Sequence, residues 1–264
     1  MATAPFPASP RVHFTQDTLE QVICQLRFPT ILAIGTAPPA EFQNRVRHKY
    51  PLYQRTGDQP PLPAELGPVL AQLGMPSPPF LVGHQFNTED SACTISLTQD
   101  FVAIAHLHYD RWENFLPEID LAESALREVY QPAFYTRVGL RYRDIVNRVS
   151  IGIKQEDWSN LIQPYFAGLL ATETATSVLQ STSATRLRID AVEGATVTIR
   201  HGLTEIESRP DPCYVIDADF AAEGKCDRDG AFRALDIFHH LAGNLFRWAI
   251  TPRLYEALGP EPLD

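Results

Sequence analysis

The chain has 264 residues, 44% hydrophobic and 20% charged, with a formal net charge of −10 at pH 7. That balance excludes a disordered chain, and the excess of acid opposes nonspecific binding to a phosphate backbone. Apolar runs are too short to span a bilayer, the start "MATAPFPASPRVHF" has no apolar signal region, and four scattered cysteines form no C-x-x-C pair, so a cytoplasmic protein with free thiols is expected.

In chain order, the first predicted strand is "ICQLRFPTILAI" from Ile23. Residues 39–53 follow with Phe42, Val46 and Tyr50 at helical spacing. Residues 57–80 hold Pro60, Pro61, Pro63, Pro68, Pro76, Pro78 and Pro79, a density that forbids a long helix. It suits a stiff surface excursion or a proline-rich arm that docks a partner. Runs of β-pattern come next at 79–86, 93–98 and 101–109, with "TQD" (98–100) closing a hairpin, and a helix is predicted over 118–134.

The second half repeats this order. Leu26-Arg27-Phe28 is echoed by Leu140-Arg141-Tyr142, 114 residues on, in the strand "YTRVGLRYRDIVNR" (135–148). Residues 156–171 read as a helix with Asp157 as N-cap, interrupted by Pro164. The runs 176–192, 196–206 and 213–220 alternate as strands, with "EGA" (193–195) as a turn, and 227–250 is a helix. Each half reads β-α-β-β-β-α. The expectation is a duplicated α+β protein, residues 1–134 and 135–264, with mainly antiparallel sheet covered by helices on one face. This order is similar to the saddle of the TATA-box binding protein, a likeness that carries no function.

Several segments together resemble a family of uncharacterised, sporadically distributed bacterial and archaeal proteins. The resemblance lies in the opening strand Val22-Ile23-Cys24-Gln25-Leu26-Arg27-Phe28-Pro29 and the helix from Glu41. It continues in "HYDRWENF" ending at Phe115, "RVGLRYRDIVNR" from Arg137 and "LFRWAITPRLYEAL" from Leu245. Arg143-Asp144 departs from it, standing where an apolar residue and an asparagine would be expected. The resemblance brings no activity, cofactor or catalytic residue. Patchy distribution implies horizontally moving genes, as in defence or toxin–antitoxin systems.

Arg137, Arg141 and Arg143 alternate along one strand and so share a face, and Arg186, Arg188 and Arg200 alternate on later β-runs. An antiparallel sheet would gather them on one surface. They would then grip phosphates, with Tyr135 or Phe134 as a stacking ring, or pair across strands with Asp190, Asp217 and Asp219. The number of acids favours pairing. His106 and His108 form H-x-H with Asp110 and Glu113 nearby, a thin case for a divalent metal because no second ligand pair has a fixed spacing. No G-x-S-x-G, G-x-x-x-x-G-K-[ST] or G-x-G-x-x-G is present. The aromatic and aliphatic stripe Phe232, Leu235, Phe238, Leu245 and Phe246 reads as core, and Trp112, Phe115 and Trp158 as helix–sheet anchors.

The expected function is therefore a non-enzymatic, cytoplasmic binding protein without cofactor, engaging a protein partner and with no membrane partner. The alternative is a nucleic-acid or nucleotide binder, or a nuclease, that uses the arginine-lined sheet.

Overall fold

Alternation of apolar and polar residues along most of the strands builds one sheet with two unlike faces. The computed structural model describes residues 5–56 and 83–263; the proline-rich stretch 57–80 lies outside the described residues. The strands are β1 (Val12–Phe14), β2 (Leu19–Arg27), β3 (Leu52–Thr56), β4 (Gly83–Asn87), β5 (Cys93–Leu97), β6 (Phe101–His106), β7 (Tyr135–Val146), β8 (Ser183–Ile189), β9 (Ala195–Thr204), β10 (Cys213–Cys226) and β11 (Pro260–Pro262). Helices are α1 (Ala33–Thr36), α2 (Ala40–Val46), α3 (Trp112–Tyr130), α4 (Trp158–Leu161), α5 (Pro164–Ala167), α6 (Arg228–Ala249) and α7 (Pro252–Ala257).

Nine strands form a single antiparallel sheet in the order β3-β4-β5-β6-β2-β7-β10-β9-β8, so the two half-sheets join. The joint is the central pair β2–β7. There Leu26 faces Val138 and Leu140 faces Cys24, which is the same pair turned over at the 114-residue offset. An approximate two-fold axis therefore runs through the Gln25–Gly139 pair. On either side β6 matches β10, β5 matches β9 and β4 matches β8.

One face carries Val22, Cys24 and Leu26, then Val138, Leu140 and Tyr142, then Tyr214, Ile216 and Phe220, all buried. The two long helices cover it, α3 on β6 and α6 on β7 and β10. Asp227 starts α6 by accepting from Gly230 N at 2.7 Å, and Gln131 ends α3 in the left-handed region (φ 49°). Among the described residues no helix packs on the opposite face.

Five features differ from the sequence expectation. The first half has a fourth strand after its helix: β3 is exposed over nearly all of its length, so it shows no alternation, and the half reads β-α-β-β-β-β-α. Residues 156–171 break into α4, α5 and a 3-10 turn, because Pro164 opens a new helix; Asp157 sits in the N-cap position without a side-chain bond. Only Ser183–Ile189 of the 176–192 run is strand. Strand β6 stops at His106, and α3 starts six residues before the predicted Glu118. Finally, β1 and β11 pair Val12 with Pro262 and Phe14 with Pro260 in a ribbon that joins the two ends of the chain.

Candidate functional site

The face away from the helices is concave. Thr56 of β3 and Asp219 of β10 line one cavity of about 260 Å3. On a flat sheet the six intervening steps of about 4.8 Å would hold those strands roughly 29 Å apart. Gln25, Gln85, Ser96 and Thr98 give the cavity amide and hydroxyl groups, Ile23, Phe101, Ala103 and Ala105 an apolar part, and Arg137 and Arg141 its floor.

All three arginines of β7 are answered by carboxylates. Arg141 forks onto Asp217, Nε to Oδ1 at 2.6 Å and Nη2 to Oδ2 at 2.7 Å, with side chains only 11% and 7% exposed. Burial opposes the Arg141 charge, but the Asp217 fork more than offsets it and holds its pKa above the ordinary arginine value. Arg137 donates to Gln25 at 2.9 Å and pairs with Asp219 and Glu223, each at 3.2 Å. Gly139 makes room for this reach, since a Cβ there would sit 2.3 Å from Arg137 Nη1. Arg143 pairs with Glu20 at 3.3 Å. The pairs are diagonal: Asp217 stands opposite Arg143 and Asp219 opposite Arg141 in the register.

Register places Arg186, Arg188 and Arg200 on the same face toward the β8 edge. Arg188 meets Asp190 at 2.7 Å and Arg186 donates to Thr196 Oγ1 at 3.2 Å. The Arg200 side chain makes no hydrogen bond or ion pair with another described residue, although its backbone sits in the ladder opposite Asp217 and Ala184. The proposed stacking rings are elsewhere. Tyr135 turns into the helix layer and donates to Glu123 at 2.7 Å, and the Lys225 ammonium covers Phe134 at 4.6 Å. The H-x-H parity is lost because β6 ends at His106; His108 N donates to His106 Nδ1 at 3.1 Å. Among the described residues no three His, Cys, Asp or Glu side chains are grouped to hold a metal. All four cysteines are free.

A second site lies on the helix side, and sequence reasoning missed it. The β1–β11 ribbon, the loop 107–111 and α6 enclose two adjoining cavities of about 160 and 300 Å3. Tyr142 and Asp144 of β7 line the inner one, with Tyr109, His239 and Phe246. Tyr142 Oη lies 3.1 Å from His239 Nδ1, and Trp112 stacks on the His239 ring at 4.7 Å and 5°. Burial, aided by Arg11 and His240, lowers the His239 pKa to about 3. The ring is neutral, and its buried Nε2 has no hydrogen-bond partner among the described residues. The Tyr109 hydroxyl approaches Tyr142 without a well-directed hydrogen bond.

Asp144 is 9% exposed and accepts from Thr18 Oγ1 at 3.0 Å. No cation among the described residues pairs with it. Burial first, then the charges of Asp17 and Asp217, raise its pKa to about 7. One signal was available in the sequence: Asp144 occupies the apolar parity of its strand, in line with Val138, Leu140, Tyr142 and Val146.

Fold and sites together define a duplicated α+β protein with one concave sheet face and one aromatic cleft whose inner chamber is lined by acids. No protein-family model matches the chain, and no curated protein is similar to it in sequence. No helix among the described residues is long and apolar enough to cross a membrane.

Proposed function

We propose that the protein is a binding protein whose concave sheet face takes an uncharged polar segment of a protein partner. The observation that supports this reading is the internal neutralisation of that face. Its central arginines are already bound by Asp217, Asp219, Glu223 and Glu20, which leaves Gln85, Ser96 and the amide nitrogen of Gln25 to offer hydrogen bonds. A phosphate would have to displace carboxylates from a chain that is acidic throughout.

Alanines 103 and 105 sit on this surface, so Ala103→Trp would fill it. The test is native mass spectrometry of complexes from the host, with wild type and Ala103→Trp compared. A stoichiometric polypeptide retained by wild type and lost from the folded variant supports the reading. A partner that binds both equally overturns it, as does turnover of nucleic acid by the purified chain that is lost in His108→Ala.

A second reading rests on the β8 edge, where Arg186 and Arg200 have no carboxylate partner among the described residues. It is a nucleic-acid contact. Single-stranded RNA binding that falls steeply with salt, and falls further in Arg186→Ala and Arg200→Ala, would favour it.

A further inference from the structure

The cleft under the β1–β11 ribbon has chemistry that the sheet face lacks. Its inner chamber of about 160 Å3 is close to the roughly 150 Å3 of an engineered cavity that holds benzene. Phe14, Tyr109, Tyr142 and Phe246 supply aromatic walls, and no lysine or arginine lines it. Its charged lining residues are Asp17, Asp110 and Asp144. Asp110 already shares its charge with Arg111 at 3.2 Å and accepts from Asn114 at 2.6 Å. Asp17 accepts from Leu19 N at 2.8 Å. Asp144 differs: it is buried, Thr18 satisfies one of its oxygens, and its second oxygen has no hydrogen bond within the described residues.

A buried carboxylate without a counter-ion is costly, and the cost is relieved by a proton or by a cation. No cation among the described residues pairs with Asp144: the basic side chains lining the inner chamber are His13 of β1, which lies near Asp17, and His239 of α6. Thr18 and Asp17 approach from the segment before β2, Asp217 from β10, Tyr142 from its own strand and Tyr109 from the loop after β6. We propose that this cleft binds a small organic cation, an ammonium on an aromatic or aliphatic body no larger than a phenylalkyl amine. Asp144 is its counter-ion, and the rings of Phe14, Tyr109 and Tyr142 are walls suited to cation–π contact. The acids disfavour an anion in the inner chamber, since Arg11, Arg111 and Arg247 line only the outer one, and a neutral ligand would leave Asp144 unanswered. The site lies on the other side of the sheet from the concave face and does not rest on the reading given for it.

The test is isothermal titration calorimetry of the full chain with benzylammonium, n-butylammonium and benzyl alcohol. Gly243 lines both chambers, and a Cβ built on it meets no atom within 4 Å, so Gly243→Leu blocks the cleft while favouring the helix. At pH 8 benzylammonium is expected to bind at least tenfold more tightly than benzyl alcohol. Asp144→Asn removes that preference, and Gly243→Leu, with native circular dichroism, abolishes binding. Because the bound form needs the carboxylate, affinity for benzylammonium should rise roughly 30-fold from pH 5.5 to 8. Equal affinity for amine and alcohol, unchanged binding by Asp144→Asn, or no heat from either amine at millimolar concentration overturns the proposal.

Discussion

Replacing Asp144 by asparagine keeps the shape of the side chain and an acceptor for Thr18, and removes only the charge. In the folded chain the carboxyl has a pKa of about 7 against an ordinary 3.8, with burial the main cause. A raised folded pKa contributes stability that is complete below the unfolded value of 3.8 and is lost as pH rises through 7. At pH 8 the three-unit difference corresponds to about 4 kcal/mol of lost stability. Asp144→Asn should recover most of it there and almost none at pH 4. For a chain of this size each kcal/mol moves the midpoint by about 2–4 °C, so a rise of roughly 8–16 °C is expected at pH 8. The assay is differential scanning calorimetry of both proteins at pH 4, 6 and 8, in which the other titrating groups cancel in the difference. An equal shift at all three pH values, or a destabilised variant at pH 8, would refute the reasoning.

Arg141→Ala leaves Asp217 buried and alone, and should cost about 3–5 kcal/mol by urea denaturation; the double variant with Asp217→Ala should be the more stable of the two. Unchanged stability in the single variant would mean that the fork does no structural work and would reopen the anion reading. Gly243→Ala should add about 0.5–1 kcal/mol, read as a higher urea midpoint with unchanged slope, because the new methyl meets no neighbour. His239 should stay neutral to about pH 3, so its imidazole nitrogen shifts should not titrate between pH 7 and 5 in an NMR series. Its lowered pKa works opposite to Asp144, with stability present above 6.5 and lost as pH falls toward 3.

The sheet was legible wherever a strand has one wet and one dry face. β7 announced its parity through Arg137, Arg141 and Arg143; the turn at 98–100 fell between observed strands, and that at 193–195 ran into the first residue of β9, Ala195. Pairing of Arg137 and Arg141 with Asp219 and Asp217 was also legible, because acids on the neighbouring strand shared their face, whereas Asp190 meets Arg188 within its own segment. β3 was hidden because an exposed edge strand has no apolar rhythm. The β1–β11 ribbon was hidden because Val12 meets Pro262 across nearly the whole chain, and no local pattern encodes so distant a partner. The cleft depends on that ribbon, so nothing local in the sequence joined His239 to Tyr109. Asp144 alone broke a local rule, and it marked the place.

The central pair also dictates an order of events during synthesis. Strand β2 leaves the ribosome with one edge satisfied at most by β6, and its other partner, β7, ends at Val146. At about 5–20 residues per second, the roughly 120 residues between the ends of β2 and β7 keep that edge bare for some 6–24 s. A nascent first half therefore presents to other chains the same hydrogen-bonding edge that it later gives to its own second half.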